Sequence, residues 1–389
     1  MKKKLIYISY LPLDKNNYER LGIKTFYKRG WDIEYWLFFK ELASVFKEND
    51  LFYEKQKNFL IFKSFFQFIK KVKNIQEKNF YFINLCIPWF DLLLQIKGGK
   101  KIVLDVFSFP LPKNMTLKKF LIDKITVRKS FSFFVRSIQI ISNKIYEKFR
   151  AQPSYVFAAG SKSLYISENY KNLNYKKTKV VKCHSLDYER YLEYKNNLPD
   201  KNLENAIVFI DQHIEGNNYG ALFSPGHVTI QNQQFYWKSL NNFLNNLSSK
   251  LGKKVIIAGH PKRNKEGKKF TDYEIIYNQT ANLIKNSSCV IGHHSTAVSF
   301  VVLFRKPYCT ITTDEIMKTT SHYFATKKYS EELGCKLINI DHFTDYNSVD
   351  FLKYNEDAYK NYIENYVKTS DVKSKNFWSD FIDYFENEK

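Results

Sequence analysis

Short runs of β-branched and aromatic residues alternate with longer amphipathic stretches from one end of the chain to the other. In the first half the strand-length apolar runs are 5–10, 80–87, 101–106, 155–158 and 179–183; in the second they are 206–210, 254–258, 289–292, 307–311 and 336–340. Strands that are apolar at nearly every position are buried on both faces, so the pattern predicts parallel sheets covered by helices. The stretch 232–251 has helical periodicity and ends before Gly252, where a C-terminal cap glycine belongs. The polar segment 191–205 reads as a linker. The expectation is therefore two Rossmann-like α/β domains, residues 1–200 and 201–354, with 355–389 forming terminal helices near the seam between them.

The length of 389 residues fits two domains, and 44% apolar with 17% aromatic residues excludes a wholly disordered chain. Charge changes the picture more. The net formal charge is +22, but residues 1–200 hold 38 basic and 18 acidic side chains, whereas 201–389 hold 23 and 21. An AT-rich coding bias would raise lysine in both halves alike, so the asymmetry points to a first half that meets something anionic: nucleic acid, a membrane surface or a charged glycolipid. Segments 55–73 and 117–139 mix aromatic with basic residues, as an interfacial helix does. Core helices flanked by solvated lysines are the plain alternative. The five cysteines (Cys86, Cys183, Cys289, Cys309 and Cys335) contain no CxxC pair, so neither a disulfide framework nor a zinc site is suggested. The N-terminus lacks a small-residue cleavage site and reads as a first strand. Segment 80–96 is the most apolar window, but Asn84, Pro88 and Asp91 interrupt it and it is too short to span a bilayer. A cytoplasmic protein is expected, with peripheral association at the inner face of the membrane as a further expectation.

In doubly wound sheets, ligands bind beyond the C-terminal ends of the strands, so the residues following each second-half strand carry the candidate chemistry. Asp211 follows the first of these strands and opens the polar loop DQHIEG, which also holds Glu215; an N-cap or loop carboxylate is the ordinary alternative. The next strand runs into Gly259-His260-Pro261-Lys262-Arg263. Pro261 forces His260 toward extended geometry, and two cations follow, as a departing phosphate requires. The third runs into Gly292-His293-His294-Ser295-Thr296, ahead of an apolar helix. Glycine and small hydroxyl residues at that position suit an anion pocket or a plain helix cap. His293 and His294 have no i, i+4 ligand partner for a metal, and Ser295 is not in a G-x-S-x-G elbow. Walker A and dinucleotide fingerprints are absent, as is a D-x-D pair, which favours leaving-group stabilisation without a metal or other cofactor.

The elements DQHIEG, GHPKR and LIKNSSCVIGHHSTAVSFVVLFRKP followed by TITTDE resemble the donor domain of bacterial GT-B glycosyltransferases of surface polysaccharide synthesis, of the sialyltransferase, polysialyltransferase and Kdo-transferase type. That resemblance covers 206–315 and not the basic first half. It implies a GT-B fold with parallel sheets facing across a cleft. It also implies transfer of a sialic-, pseudaminic-, legionaminic- or Kdo-type sugar from a CMP-activated donor to a lipopolysaccharide or capsular glycan. His260 with Pro261, Lys262 and Arg263, and the Gly292–Thr296 segment including His293, His294 and Ser295, would bind the donor. Asp211 or Glu215 would be the base, although DQHIEG departs from the family's paired-acid run and leaves Asp14, Glu34 and Asp105 of the first half as substitutes. A UDP- or GDP-sugar or CDP-glycerol donor is the alternative within transferases. A basic nucleic-acid-binding protein is the alternative from another class, disfavoured because no recognisable module is present.

Overall fold

The computed structural model describes residues 3–9, 13, 15–38, 58–85, 89–106, 109–110, 152–163, 173–200, 203–212, 214, 233–260, 273–318, 320–373 and 376–388. Asp14, Glu215, the Pro261-Lys262-Arg263 run and the whole of 117–139 lie outside them.

Among the described residues, two parallel sheets account for the strands. The first contains β1 (Lys4–Ser9), β2 (Asp32–Phe38), β3 (Phe59–Phe62), β4 (Phe80–Asn84), β5 (Gly99–Asp105), β6 (Tyr155–Ala159) and β7 (Lys179–Cys183), in the spatial order β3-β2-β1-β4-β5-β6-β7. The second contains β8 (Ile207–Ile210), β9 (Val255–Gly259), β10 (Glu274–Tyr277), β11 (Cys289–Gly292), β12 (Tyr308–Thr312) and β13 (Leu337–Asn339), in the order β10-β9-β8-β11-β12-β13. All ten apolar runs read from the sequence are strands. Every residue of β1, β8, β9, β11 and β12 is buried, as both-face coverage demands.

Three strands were not anticipated. β3 and β10 are four-residue edge strands, partly exposed, and too short to stand out as apolar runs. β2 begins with two carboxylates, Asp32 and Glu34, which interrupt its apolar pattern. Lys4 on neighbouring β1 resolves the conflict, with its Nζ 2.8 Å from Glu34 and 3.6 Å from Asp32. Lys71 approaches Glu34 from the other side at 3.2 Å, and the Trp36 indole donates to it at 2.6 Å. Glu34 therefore belongs to an ion-pair network near the start of its strand and is withdrawn as a base candidate.

Helices cover both faces of each sheet. On one face of the first sheet, Phe65–Lys73 and Trp89–Ile96 enclose Phe62, Phe68, Phe82, Phe90 and Leu94. On one face of the second, Gln233–Leu251 packs Tyr236, Leu240, Phe243 and Leu247 against Ile207, Ile257 and Ile291. That helix ends where expected, with Gly252 at a φ of 62°. The segment read as a linker opens instead as the end of the helix Leu186–Lys195, whose Ser185 cap accepts from the Tyr188 amide. Its Tyr188, Tyr191 and Tyr194 pack into the core of the second sheet against helices Thr280–Asn286 and Val298–Leu303.

The C-terminal segment ties the two halves together. Helix Glu356–Tyr362 buries Tyr359 and Tyr362 against the second sheet, and the chain then passes through a π-helical turn, Ile363–Val367. Amides of Ser161, Lys162 and Ser185, all from the first half, donate to the carbonyls of Glu364, Asn365 and Val367. The last helix, Phe377–Asn387, then lies on the first sheet, where Trp378, Phe381 and Phe385 meet Phe26, Trp31, Tyr81, Tyr155 and Phe157. Trp378 sits directly over Gly22, whose positive φ of 65° and 2.3 Å clearance to the indole leave no room for a Cβ. Its Nε1 donates to the Arg20 carbonyl at 3.1 Å.

Phe385 is fully buried. Phe385→Ala should cost about 3–5 kcal/mol in denaturant unfolding of the full chain, the usual range for emptying an aromatic site. A loss below about 1 kcal/mol would mean that the first core closes without the last helix.

Candidate functional site

The order of the second sheet reverses between β8 and β11. β9 and β10 lie to one side of β8, while β11, β12 and β13 lie to the other, so the two loops leaving β8 and β11 part in opposite directions and open a crevice at their C-terminal ends. Register sets what stands there. Ile210 pairs with Ala258, and Phe209 with Ile291, which brings Asp211, Gly259 and His293 to one level along the strands. His260 follows one residue further.

Asp211 is the central group. It is buried, its own amide donates to the Ala258 carbonyl at 3.1 Å, and its Oδ2 accepts the His260 amide at 3.1 Å. The carboxylate thus bridges the loops after β8 and β9 and fixes the backbone from which the His260 side chain projects. His260 itself is half-buried. Two residues read separately from the sequence as acid and phosphate ligand are therefore physically joined.

The β11 loop divides its residues by role. Gly292 ends the strand against the Tyr308 hydroxyl, which would lie 2.9 Å from any Cβ placed there. Tyr308 in turn donates to the His293 carbonyl at 2.6 Å. The His293 ring is wholly buried: Nδ1 is 2.8 Å from the Ile311 carbonyl and Nε2 is 3.0 Å from the Tyr236 hydroxyl. A carbonyl only accepts, so Nδ1 carries the proton and Nε2 accepts from Tyr236, which makes the imidazole neutral. Burial drives its pKa down to about 3, against a smaller opposing pull from the Ile311 carbonyl. Both ring nitrogens are engaged, so His293 anchors the loop and does not present a nitrogen to a ligand in this arrangement.

His294, Ser295 and Thr296 lie nearer the surface, the first two half-buried and Thr296 exposed. His294 Nδ1 is 3.1 Å from the Thr326 hydroxyl, and its ring centroid is 5.1 Å from that of His322. Both partners come from helix Thr320–Leu333. Ser295 Oγ accepts the Ala297 amide at 3.2 Å. The following helix, Val298–Leu303, starts after Ala297 without a side-chain cap, so the Ser295 hydroxyl closes a turn ahead of the helix and neither hydroxyl caps it. Asp105, the remaining described first-half substitute, ends β5 of the other sheet, with Cys183 within its electrostatic reach.

Tyr236, Tyr308, His322 and Thr326 were not foreseen. No short motif marks them, because each reaches the crevice from an element distant in sequence. Their signal lies only in the sheet order and in the helix that covers it. No group of three His, Cys, Asp or Glu side chains suited to a metal is present among the described residues. A second concavity, bordered by Tyr308, Cys335, Lys353 and Tyr359, opens at the opposite ends of β12 and β13 and shares no loop with the crevice.

No protein-family model matches the chain, and no curated protein matches it in sequence. Solved structures do match in shape. A wall teichoic acid polymerase, TagF, superposes with a TM-score of 0.51 at 12% identity, over 100% of this chain and 90% of that one. The glycotransferase of kitacinnamycin gives 0.50 at 8% identity, over 99% of each chain. The Methanocaldococcus jannaschii UDP-GlcNAc 2-epimerase, in complex with UDP-GlcNAc and UDP, gives 0.46 at 11% identity over 100% of both chains. At these identities the likeness concerns the fold, and the fold is GT-B: two parallel-sheet α/β domains, of seven and six strands.

The neutral, buried His293 sets a pH dependence. An unfolded chain protonates this residue near pH 6.5, whereas the folded chain resists until about pH 3. The unfolded state therefore binds the extra proton between those values, and stability present above pH 6.5 is lost as pH falls. One such group contributes a loss of about 2 kcal/mol between pH 7 and pH 5. Urea unfolding of wild type and His293→Gln at both values should show a shallower decline in the variant; parallel declines would contradict the assignment.

Proposed function

We propose that the chain is a glycosyltransferase that uses a nucleotide-activated donor bound at the crevice of the second sheet. The observation that carries this reading is the Asp211–His260 junction beside the His294-Ser295-Thr296 loop, at the point where the strand order of a GT-B domain reverses. A carboxylate, an imidazole and hydroxyl groups there match the needs of a displacement at an anomeric carbon. The acceptor hydroxyl gives its proton to Asp211, or to Glu215 of the same loop. The acceptor oxygen bonds to the anomeric carbon, and the bond from that carbon to the donor phosphate breaks with its electron pair leaving on phosphate. His260, with Lys262 and Arg263 of its loop, and the hydroxyls of Ser295 and Thr296 neutralise the departing charge. No metal or other cofactor is invoked.

Within that class, a CMP-activated nonulosonic or ulosonic acid is the favoured donor, on the strength of the GHPKR and GHHST motifs, and a lipopolysaccharide or capsular glycan the acceptor. Transfer from a UDP- or GDP-sugar or from CDP-glycerol is the second reading, favoured by the similarity in fold to a wall teichoic acid polymerase.

Calorimetric binding and donor hydrolysis across CMP-, CDP-, UDP- and GDP-compounds distinguish these donors. His260→Ala should retain the wild-type unfolding transition and lose donor use by roughly 10²–10³-fold, the scale on which an oxyanion-stabilising group contributes. Undiminished hydrolysis in that variant would refute the site. Asp211→Asn keeps an acceptor for the His260 amide while removing the charge, so it should bind donor normally and transfer at least about 100-fold more slowly if Asp211 is the base. Normal transfer would pass that role to Glu215.

A further inference from the structure

The helix Phe65–Lys73 shows a face that its own core does not explain. It follows edge strand β3, and its start is fixed twice: Ser64 Oγ accepts the Gln67 amide at 3.3 Å, and Gln67 Oε1 accepts the Lys63 amide at 2.8 Å. Its inner stripe is Phe68 and Val72, both buried. On the opposite stripe stands Phe66, 82% exposed, with Lys70 and Lys73 at i+4 and i+7. Phe65 beside it is 45% exposed and is braced from below by the rings of Phe68 and Phe90, at 6.2 and 6.0 Å. A capped first turn thus holds a phenyl ring in water on a supported base, which no packing need of this fold requires.

Among the described residues, the charge around that ring is of one sign. The helix contains no acidic residue, and Lys63, Lys70 and Lys73 are exposed with no described carboxylate within ion-pair distance. Lys71, by contrast, turns inward to Glu34. Exposed Leu85 follows β4, at the same end of the sheet as the first turn of this helix, and exposed Leu92 lies on the neighbouring helix Trp89–Ile96. Aromatic and aliphatic tips ringed by lysines, on the half of the chain that carries almost all of the net charge, complement a surface that is apolar just beneath an anionic layer. A flat acidic protein would satisfy the lysines but leave the phenyl without a pocket.

We propose that the first turn of Phe65–Lys73 docks the protein on an anionic phospholipid bilayer, with Phe66 and Phe65 entering the headgroup boundary and Lys63, Lys70 and Lys73 meeting lipid phosphates. The docking holds whether or not the chain transfers a sugar. Because this end of β3 and β4 is the C-terminal rim of the first sheet, it would bring that rim to the membrane.

The test is sedimentation of the full chain with phosphatidylcholine vesicles with and without phosphatidylglycerol. Wild type should bind the anionic vesicles, release in high salt and leave the neutral ones largely unbound. Phe66→Ser should weaken binding at least about tenfold, and Lys70→Glu with Lys73→Glu by about fivefold or more for each lysine. Both changes are on exposed positions, so unfolding transitions should match wild type, and the lysine pair decides if the Phe66 variant does not. Donor hydrolysis without vesicles, measured on the same variants, should be unchanged, which separates this docking from the reaction. Equal binding to both kinds of vesicle, wild-type binding by either variant, or retention on oligonucleotides or acidic protein without vesicle binding would overturn the proposal.

Discussion

The closing of the first hydrophobic core by the last helix of the chain is the constraint on which the rest of the structure depends. Tyr81, Tyr155 and Phe157 of the first sheet, with Phe26 of the helix Ile23–Lys28 and Trp31 just before β2, form one apolar surface, and Trp378, Phe381 and Phe385 cover it from more than two hundred residues beyond β6. To reach that face the chain must cross from the second sheet. It does so as hydrogen-bonded backbone, through the π-helical turn whose carbonyls accept amides of Ser161, Lys162 and Ser185. The burial that stabilises one domain thus fixes the path linking it to the other. Leu186–Lys195 makes the reciprocal crossing, taking three tyrosines from the first half into the second core. Two crossings in opposite directions restrain the halves more than a single linker would.

Behind the crevice, the second sheet repeats the same economy on a smaller scale. One carboxylate, Asp211, bridges two strand-end loops, and one imidazole, His293, is spent wholly on holding a third. A buried neutral histidine with both nitrogens satisfied is a fixed strut. It holds the backbone from which His294, Ser295 and Thr296 extend, while Tyr236 and Tyr308 hold it from the helix and strand on either side. Precision in the exposed groups is supplied by polar groups that are themselves buried.

Much of this was legible in the sequence because most strands are apolar over most of their length: the fully buried β1, β8, β9, β11 and β12 stand out as apolar runs, and even β7, with exposed Lys179 and Lys182, keeps a Val-Val pair. β3 and β10 escaped because each is four residues long and, between them, all but one of their positions are half-exposed or exposed. β2 escaped because Asp32 and Glu34 look polar until Lys4 is set beside them by the β1–β2 register. Asp211 and His260 were visible as the residues following apolar runs, yet their contact depends on β8 and β9 being neighbours. His293 illustrates the opposite failure. In sequence it is indistinguishable from His294, and only the depth of the loop makes one a core strut and leaves the other near the rim.

The lysine surplus of the first half resolves in the same way, by asking where each charge goes. Lys4 and Lys101 are buried and committed to Glu34, Glu77 and Asp91, and Lys71 is drawn to Glu34. These cations neutralise acids that the strands and helices bring inward, and they leave no field outside. Among the described residues other lysines are exposed and have no such duty, and on Phe65–Lys73 those lysines share a face with a solvent-exposed phenyl. Compositional bias can multiply lysines, but it does not place a solvent-exposed aromatic ring among them on a capped helical turn. The same half of the chain that lacks phosphate-binding motifs carries the surface charge, whereas the half with the phosphate-suited loops is nearly neutral. A nearly neutral second half and a basic, aromatic-tipped first half are what the proposed transferase would need if its small substrate came from solution and its large one from an anionic surface.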